Sequence, residues 1–83
     1  MILYEDPKIR GIESKLKKAR MIRGYTQDVL SDLSGVNIKS IASYEQNSDK
    51  LAAASVSTIL RLSEALGCDV EDIINIKDVE SKD

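Results

Sequence analysis

The residues best suited to binding chemistry lie between Asn37 and Gln46, where hydrogen-bond donors alternate with small apolar side chains. A lysine such as Lys39 can donate to O6 and N7 of guanine, and a serine can bond several bases. Isoleucine and alanine can contact the methyl group of thymine. On a helix, one face of this segment would carry the following six residues: Asn37, Ile38, Lys39, Ala42, Ser43 and Gln46. The segment could therefore read DNA, or it could serve only as a packing unit or a protein contact.

Residue types that support catalysis or metal binding are scarce. The 83 residues include no histidine and a single cysteine, Cys68, which excludes the usual Cys/His zinc sites and an intramolecular disulfide. Cys68 follows Gly67 in an apolar setting and is expected to be a buried structural residue. The neighbouring Asp69 and Glu71 argue against a redox sensor, which needs a low-pKa thiol near cations. The four glycines are scattered, so there is no glycine-rich phosphate loop. We expect a protein that is not an enzyme and that has no metal or cofactor.

The formal net charge of −2 argues against a DNA-binding surface until the charges are located along the chain. Residues 8–23 contain seven Lys/Arg and one acid, a local charge of +6. Residues 51–83 contain three Lys/Arg and seven acids, a local charge of −4. Electrostatic attraction is screened beyond about 8 Å at physiological salt, so a basic patch can attract phosphate within an acidic protein.

The apolar residues recur at helical spacing, which predicts an all-α, compact five-helix bundle. The expected helices cover residues 13–23, 26–34, 37–46, 56–66 and 70–76, each beginning or ending at a capping residue such as Thr26, Asn37, Gly35 or Gly67. Residues 47–50 are expected to form a polar loop, and residues 51–54 could add one helical turn.

The predicted domain covers residues 13–76. Residues 1–12, which include Pro7, are expected to form an N-terminal arm or a disordered end, and residues 77–83 a mobile acidic tail. The chain has no secretory signal and no apolar run near the ~20 residues of a membrane span. A cytoplasmic protein with no membrane contact is therefore expected.

The Gly35–Val36 connection between the second and third helices is too short for an antiparallel pair. It forces a steep crossing, as in helix-turn-helix units. Leu30 and Ile41 would fill the angle between the helices, while Val36 would close the turn. This geometry leaves one face of the third helix outside the core.

The stretch "GYTQDVLSDLSGVNIKSIASYEQN" resembles the DNA-binding domains of the Cro and phage-repressor type, often called XRE-like. The resemblance rests on "TQ" at the start of the second helix, Leu30, Gly35–Val36, Ile41 and "YEQN" at the end of the third. The later stretch "STILRLSEALGCDVEDII" is similar to the usual end of these domains, so the resemblance spans residues 16–74. It implies a five-helix bundle whose third helix lies in the major groove of DNA.

The resemblance also implies which residues contact DNA. Base contacts would come from Ile38, Lys39, Ala42 and Ser43. Phosphate contacts would come from Arg20, Thr26, Gln27, Asn37, Ser40 and Asn47. The sequence departs from the family pattern at Ile38, which is more apolar than usual, and at Asn47, where the family often has glycine.

The predicted function is that of a sequence-specific transcriptional regulator, with repression as the expected mode. A homodimer would bind a palindromic double-stranded operator, with recognition helices about 34 Å apart. Candidate dimer contacts are Val56, Leu60 and Ile76. The alternative is an antitoxin-like or adaptor module that keeps the fold and binds a protein partner, an interpretation favoured by Ile38 and the acidic C-terminal third.

Overall fold

A computed structural model of the chain describes residues 14–74, which form five α-helices and one short 3-10 helix. The α-helices are α1 (Lys15–Ile22), α2 (Gln27–Ser34), α3 (Ile38–Gln46), α4 (Ser48–Ala52) and α5 (Val56–Leu66), followed by the 3-10 helix Val70–Asp72. These residues include no strand, and the predicted all-α fold class is confirmed. The predicted arm (residues 1–12), the predicted tail (residues 77–83) and Ile76 lie outside the described residues.

Each α-helix begins at a residue whose side chain accepts a hydrogen bond from the first turn. These N-cap residues are Ser14, Thr26, Asn37, Asn47 and Ser55. A side-chain oxygen in this position satisfies a backbone N–H that has no partner within the helix. α2 and α5 end at Gly35 and Gly67, both in the left-handed conformation. Most helix boundaries are therefore set by local sequence.

Two elements differ from the sequence prediction. Residues 48–50, expected in a loop, form the first part of α4, because Asn47 Oδ1 accepts from the Asp49 N–H at 3.0 Å and Leu51 is only 1% exposed. Residues 70–72 form a 3-10 helix rather than the start of an α-helix. The expected continuation to residue 76 lies partly outside the described residues.

α2 packs against both α3 and α5, and α3 packs in addition against α1 and α4. The 3-10 helix packs against α1 and α5. The core takes its largest fully buried side chains from all five α-helices and from the residue after the 3-10 helix: Leu16, Leu30, Ile41, Leu51, Leu62, Leu66 and Ile73. Because α2 is held from two sides, its N-terminus and the adjoining start of α3 have fixed positions. No helix in residues 14–74 combines the length and apolar character needed to cross a membrane.

Candidate nucleic-acid interface

The turn between α2 and α3 is fixed by one glycine and two serines. Gly35 has φ +74°, the left-handed conformation that ends α2. Ser34 Oγ accepts from the Val36 N–H at 3.1 Å, and Ser31 Oγ donates to the Val36 carbonyl at 2.7 Å. These bonds satisfy both the N–H and the carbonyl of Val36, and they fix the orientation of α3 relative to α2.

The angle between α2 and α3 is filled by apolar side chains, as the sequence predicted. Leu30 and Ile41 are 0% exposed and Val36 is 7% exposed. The two helices therefore pack as one rigid unit, and the core uses only the inner side of α3.

The outer side of α3 carries the residues expected at base edges. At about 100° per residue, Lys39 and Ser43 lie opposite the buried Ile41, and Ile38 and Ala42 lie beside them, both on the same side. Lys39 is exposed, whereas the other three side chains are half-buried. We refer to Ile38, Lys39, Ala42 and Ser43 as the α3 face. The structure brings all four predicted base-contacting residues together on it.

A buried polar network joins α1, α2 and α3 behind the α3 face. The Glu45 carboxylate accepts from Arg20 Nε at 2.7 Å, from Arg20 Nη2 at 3.0 Å and from Gln27 Nε2 at 3.0 Å. Arg20 Nη1 also donates to the Tyr25 carbonyl at 2.8 Å. The Arg20 and Glu45 side chains are 11% and 4% exposed. A charge-assisted bidentate pair of this kind fixes geometry as well as adding energy.

Arg20 was expected to contact a DNA phosphate, but the network holds its side chain within the fold. Three of its N–H donors already bond acceptors within the chain, and its side chain has little contact with solvent. Gln27 donates one amide hydrogen to Glu45 and has a second one left to offer a ligand. The structure thus places Gln27 at the surface and Arg20 behind it.

The other predicted phosphate-contacting residues lie at helix starts or on the flank of α3. Thr26 Oγ1 accepts from the Val29 N–H, so its own O–H remains a donor. Asn37 Oδ1 accepts from the Lys39 N–H at 2.7 Å, and Asn47 caps α4 in the same way, which leaves both amide NH2 groups able to donate. Ser40 is half-buried on the flank of α3, outside the α3 face.

An open hollow of about 500 Å³ lies between the α1–α2 connection and the start of α3. It is lined by Arg20, Met21, Gly24, Tyr25, Thr26, Gln27, Asp28 and Ile38. The hollow places the side chain of Ile38 beside the donors at the N-terminus of α2. Base-directed and phosphate-directed residues are therefore neighbours on one surface.

Several of the cationic side chains expected to attract phosphate bond acceptors within the fold. Lys15 Nζ donates to the carbonyls of Glu71 (2.6 Å) and Ile74 (3.2 Å). Arg23 donates to the carbonyls of Leu66 (2.7 Å) and Gly67 (3.2 Å). With Arg20, three of the five cations at positions 14–23 bond acceptors in the chain. Among the described residues, only Arg20 is neutralised by an acid, whereas the bonds to carbonyls restrict where Lys15 and Arg23 can point without removing their charge.

The sequence contains a signal for the buried network, and Glu45 is expected from it to brace α3 through an ion pair or hydrogen bond. Glu45 follows Ile41 by four residues, so both must lie on the inner side of α3. A carboxylate there needs a cationic partner, because an unpaired buried charge is strongly unfavourable. Its partner could not be identified from sequence, since Arg20 is 25 residues away.

The predicted dimer residues Val56 and Leu60 lie one turn apart on α5 and are 71% and 43% exposed. Among known families, the model described as helix-turn-helix matches residues 16–73, most of the chain. No curated protein and no solved structure matches the chain significantly.

Proposed function

The chain belongs to the Cro and phage-repressor (XRE-like) helix-turn-helix family of DNA-binding domains, and on this premise we propose that it is a sequence-specific repressor. The observation that carries the proposal is the position of the α3 face. It lies outside the core, on a helix whose start adjoins the donors at the N-terminus of α2. A helix placed in this way fits the major groove while the preceding helix meets the DNA backbone.

In the proposed complex the α3 face reads an operator half-site. Lys39 donates to O6 and N7 of a guanine, and Ser43 bonds a neighbouring base edge. Ile38 and Ala42 contact thymine methyl groups, which matches the half-buried, apolar environment of Ile38 beside the hollow. Contacts of this kind carry sequence information, whereas phosphate contacts set position and register.

The proposed backbone contacts come mainly from uncharged donors: Thr26, Gln27, Asn37, Ser40 and Asn47. Thr26 and Gln27 lie at the N-terminus of α2, where the helix dipole also attracts an anion. We assign Arg20 a positioning role instead of the phosphate contact implied by the family resemblance. Its pairing with Glu45 orients Gln27, which shares the same carboxylate.

A homodimer is part of the proposal, because one recognition helix contacts too few bases and phosphates for tight specific binding. Two α3 helices about 34 Å apart would reach successive major grooves of a palindromic operator. The proposed contacts between subunits include Val56 and Leu60 on α5, together with Ile76.

The second candidate is an antitoxin-like or adaptor module that binds another protein. Its support is the side chain of Ile38, which lines an open hollow and gives the α3 face a partly apolar character. In this case the surface around Ile38 would bind an apolar side chain of the partner.

Binding-site selection from a random double-stranded DNA library separates the two candidates. The repressor proposal predicts that the full chain enriches one palindromic site and binds it far more tightly than scrambled DNA. Lys39→Ala should relax specificity at one base position and weaken binding by about 1–3 kcal/mol. Gln27→Ala should weaken binding to all sequences about equally.

The matched control is Lys17→Ala, which removes the same charge from an exposed position on α1. It should leave the selected sequence unchanged. Selection of no sequence, with equal and weak binding to every duplex, would reject the repressor proposal and favour the protein-binding module.

A further inference from the structure

One acidic side chain lies among the residues that line the open hollow between the α1–α2 connection and the start of α3. Asp28 is the one carboxylate among the described residues of this lining, and Met21 and Ile38 supply apolar surface in the same hollow. The base contact proposed for Ile38 uses the apolar surface and leaves Asp28 without a role. The hollow therefore combines apolar contact with a group that can only accept hydrogen bonds.

The carboxylate of Asp28 has no partner within residues 14–74. The side chain is exposed, and it forms no ion pair with another residue of this range. Its place in the first turn of α2 lets it stabilise the positive end of the helix dipole, an effect that requires no hydrogen bond to its oxygens. Within the described residues nothing competes with an outside donor for these oxygens.

Helix geometry turns Asp28 toward the start of α3. Gln27 and Ser31 lie on the side of α2 that faces α3, since each bonds a residue of α3 or of the turn before it. At about 100° per residue, Asp28 comes next to Ser31 round the helix, on the side away from the buried Leu30. Asp28 and Ile38 thus face one hollow from two adjoining helices.

A carboxylate and an apolar side chain in one site match a particular base edge. In the major groove thymine presents O4 and a C5-methyl group, whereas cytosine presents an N4 amino group, from which a carboxylate accepts. A carboxylate that faced thymine O4 would bring two acceptors together. A cytosine with a methyl group at C5 presents the amino group and the methyl group on adjacent ring atoms. Its edge is complementary to Asp28 and Ile38 together.

We propose that the hollow recognises 5-methylcytosine in the operator, with Asp28 accepting from N4 while Ile38 and Met21 contact the C5-methyl group. The inference rests on the proposed function and refines it. The methyl group that Ile38 contacts can belong to thymine or to 5-methylcytosine, and Asp28 selects 5-methylcytosine. The chain would then bind a methylated operator more tightly than an unmethylated one, so methylation of DNA would control repression.

Two separate contacts set the size of the preference. Burial of one methyl group raises the affinity about fourfold. A hydrogen bond from the amino group to a carboxylate raises it about tenfold, and this bond is lost where thymine O4 replaces the amino group. The first contact depends on Ile38 and the second on Asp28, so each residue has its own test.

Binding-site selection from two random libraries, one with cytosine and one with 5-methylcytosine throughout, identifies the base position at which Ile38→Ala relaxes the preference. Four duplexes then carry thymine, uracil, cytosine or 5-methylcytosine at that position of one half-site, each with its complementary base. Fluorescence anisotropy gives the Kd of the full chain for each duplex. The wild type should bind the 5-methylcytosine duplex about tenfold more tightly than the thymine duplex and about fourfold more tightly than the cytosine duplex.

The variants separate the two contacts. Asp28→Asn should bring the thymine and 5-methylcytosine duplexes to similar affinity, because an amide both donates and accepts. Ile38→Ala should make the cytosine and 5-methylcytosine duplexes similar and keep the preference for cytosine over uracil. Asp32→Asn is the matched control, since it removes the same charge from an exposed position of α2 outside the hollow. Loss of an acid strengthens binding to every duplex, so ratios of Kd are compared, and Asp32→Asn should leave them unchanged.

The failure of this inference differs from the failure of the repressor function. Equal binding of the thymine and 5-methylcytosine duplexes by the wild type, or a ratio unchanged in Asp28→Asn, overturns the inference and leaves the repressor function in place. The same conclusion follows if Ile38→Ala relaxes no base position. Selection of no site from either library rejects the repressor function and the inference with it. Circular dichroism and thermal melting establish that each variant is folded.

Discussion

Arg20 and Glu45 form a bidentate ion pair that joins α1 to α3, with Nε–Oε2 and Nη2–Oε1 distances of 2.7 and 3.0 Å. Both side chains are almost fully removed from solvent. The same carboxylate accepts from Gln27 on α2, so one buried carboxylate fixes the positions of α1, α2 and α3 relative to one another.

We expect Arg20→Ala and Glu45→Ala each to lower the free energy of unfolding by about 3–5 kcal/mol, because each leaves a buried charge unpaired. Urea denaturation at neutral pH measures the loss. Combining Arg20→Met with Glu45→Met should recover most of it, because apolar side chains can replace a buried ion pair. Glu64→Ala, at an exposed acid on α5, is the control and should change stability by less than about 0.5 kcal/mol. Equal losses at Glu45 and Glu64 would contradict the role of the pair.

Gly35 and Gly67 should respond differently to alanine although both have positive φ. Gly35→Ala should cost about 1 kcal/mol, since a Cβ there meets no atom within 4 Å and only the left-handed backbone is strained. Gly67→Ala should cost about 2 kcal/mol, because the same backbone strain is joined by a Cβ 2.6 Å from Arg23 Nη2, which must move and weaken its bond to the Gly67 carbonyl.

Arg23→Ala provides the control for this comparison. In that background the costs of Gly67→Ala and Gly35→Ala should become similar, as measured in a double-mutant cycle by chemical denaturation. A difference that persists without Arg23 would exclude the side-chain contact as its cause.

Burial raises the pKa of the Cys68 thiol above its ordinary value, with further raising by Asp72 and Asp69 and an opposing effect from Arg23. Alkylation by iodoacetamide at pH 8 should therefore be slower than for an unfolded chain. Asp72→Asn should lower the thiol pKa and speed the reaction, whereas Arg23→Gln should raise the pKa and slow it. A rate equal to that of the unfolded chain would be inconsistent with this environment.

The same shift makes stability depend on pH in a defined direction. The thiol pKa is higher in the folded than in the unfolded chain, so the associated stability is present below about pH 8.5 and is lost as the pH rises through the folded pKa. The stability of the wild type relative to Cys68→Ala should therefore decline over the range above about pH 8.5. A difference that stays constant over this range would argue against the raised pKa.

The salt dependence of specific DNA binding should separate the charged from the uncharged contacts. Each cation that neutralises a phosphate adds about −0.9 to the slope of log K against log salt. Lys39 is proposed to bind a base, so Lys39→Ala should alter specificity more than slope. Gln27→Ala should weaken binding with the slope unchanged.

Replacement of a proposed uncharged phosphate donor by a cation checks the same point. Asn47→Lys should make the slope steeper by about 0.9 per subunit if Asn47 lies at a phosphate. An unchanged slope in this variant would remove Asn47 from the backbone contacts.

Local sequence determined the helices and the helix-turn-helix unit. Thr26, Asn37 and Ser55 cap their helices through atoms only two or three residues away, and Gly35 ends α2 by its own backbone preference. Such interactions are complete within one turn, so residue types at fixed spacing predict them. Helical periodicity likewise placed Leu30 and Ile41 in the core.

Only the tertiary structure decided which acceptors the cationic side chains bond. By residue type and spacing, Lys15, Arg20 and Arg23 look like a phosphate-binding patch. Their hydrogen-bond acceptors, however, lie 56, 25 and 43 residues away in the chain. The start of α4 has both a local and a tertiary cause, because Asn47 caps it and the core buries Leu51. A cation bonds whichever acceptor the folded chain brings within reach, so its partner depends on packing between distant helices and not on its neighbours in sequence.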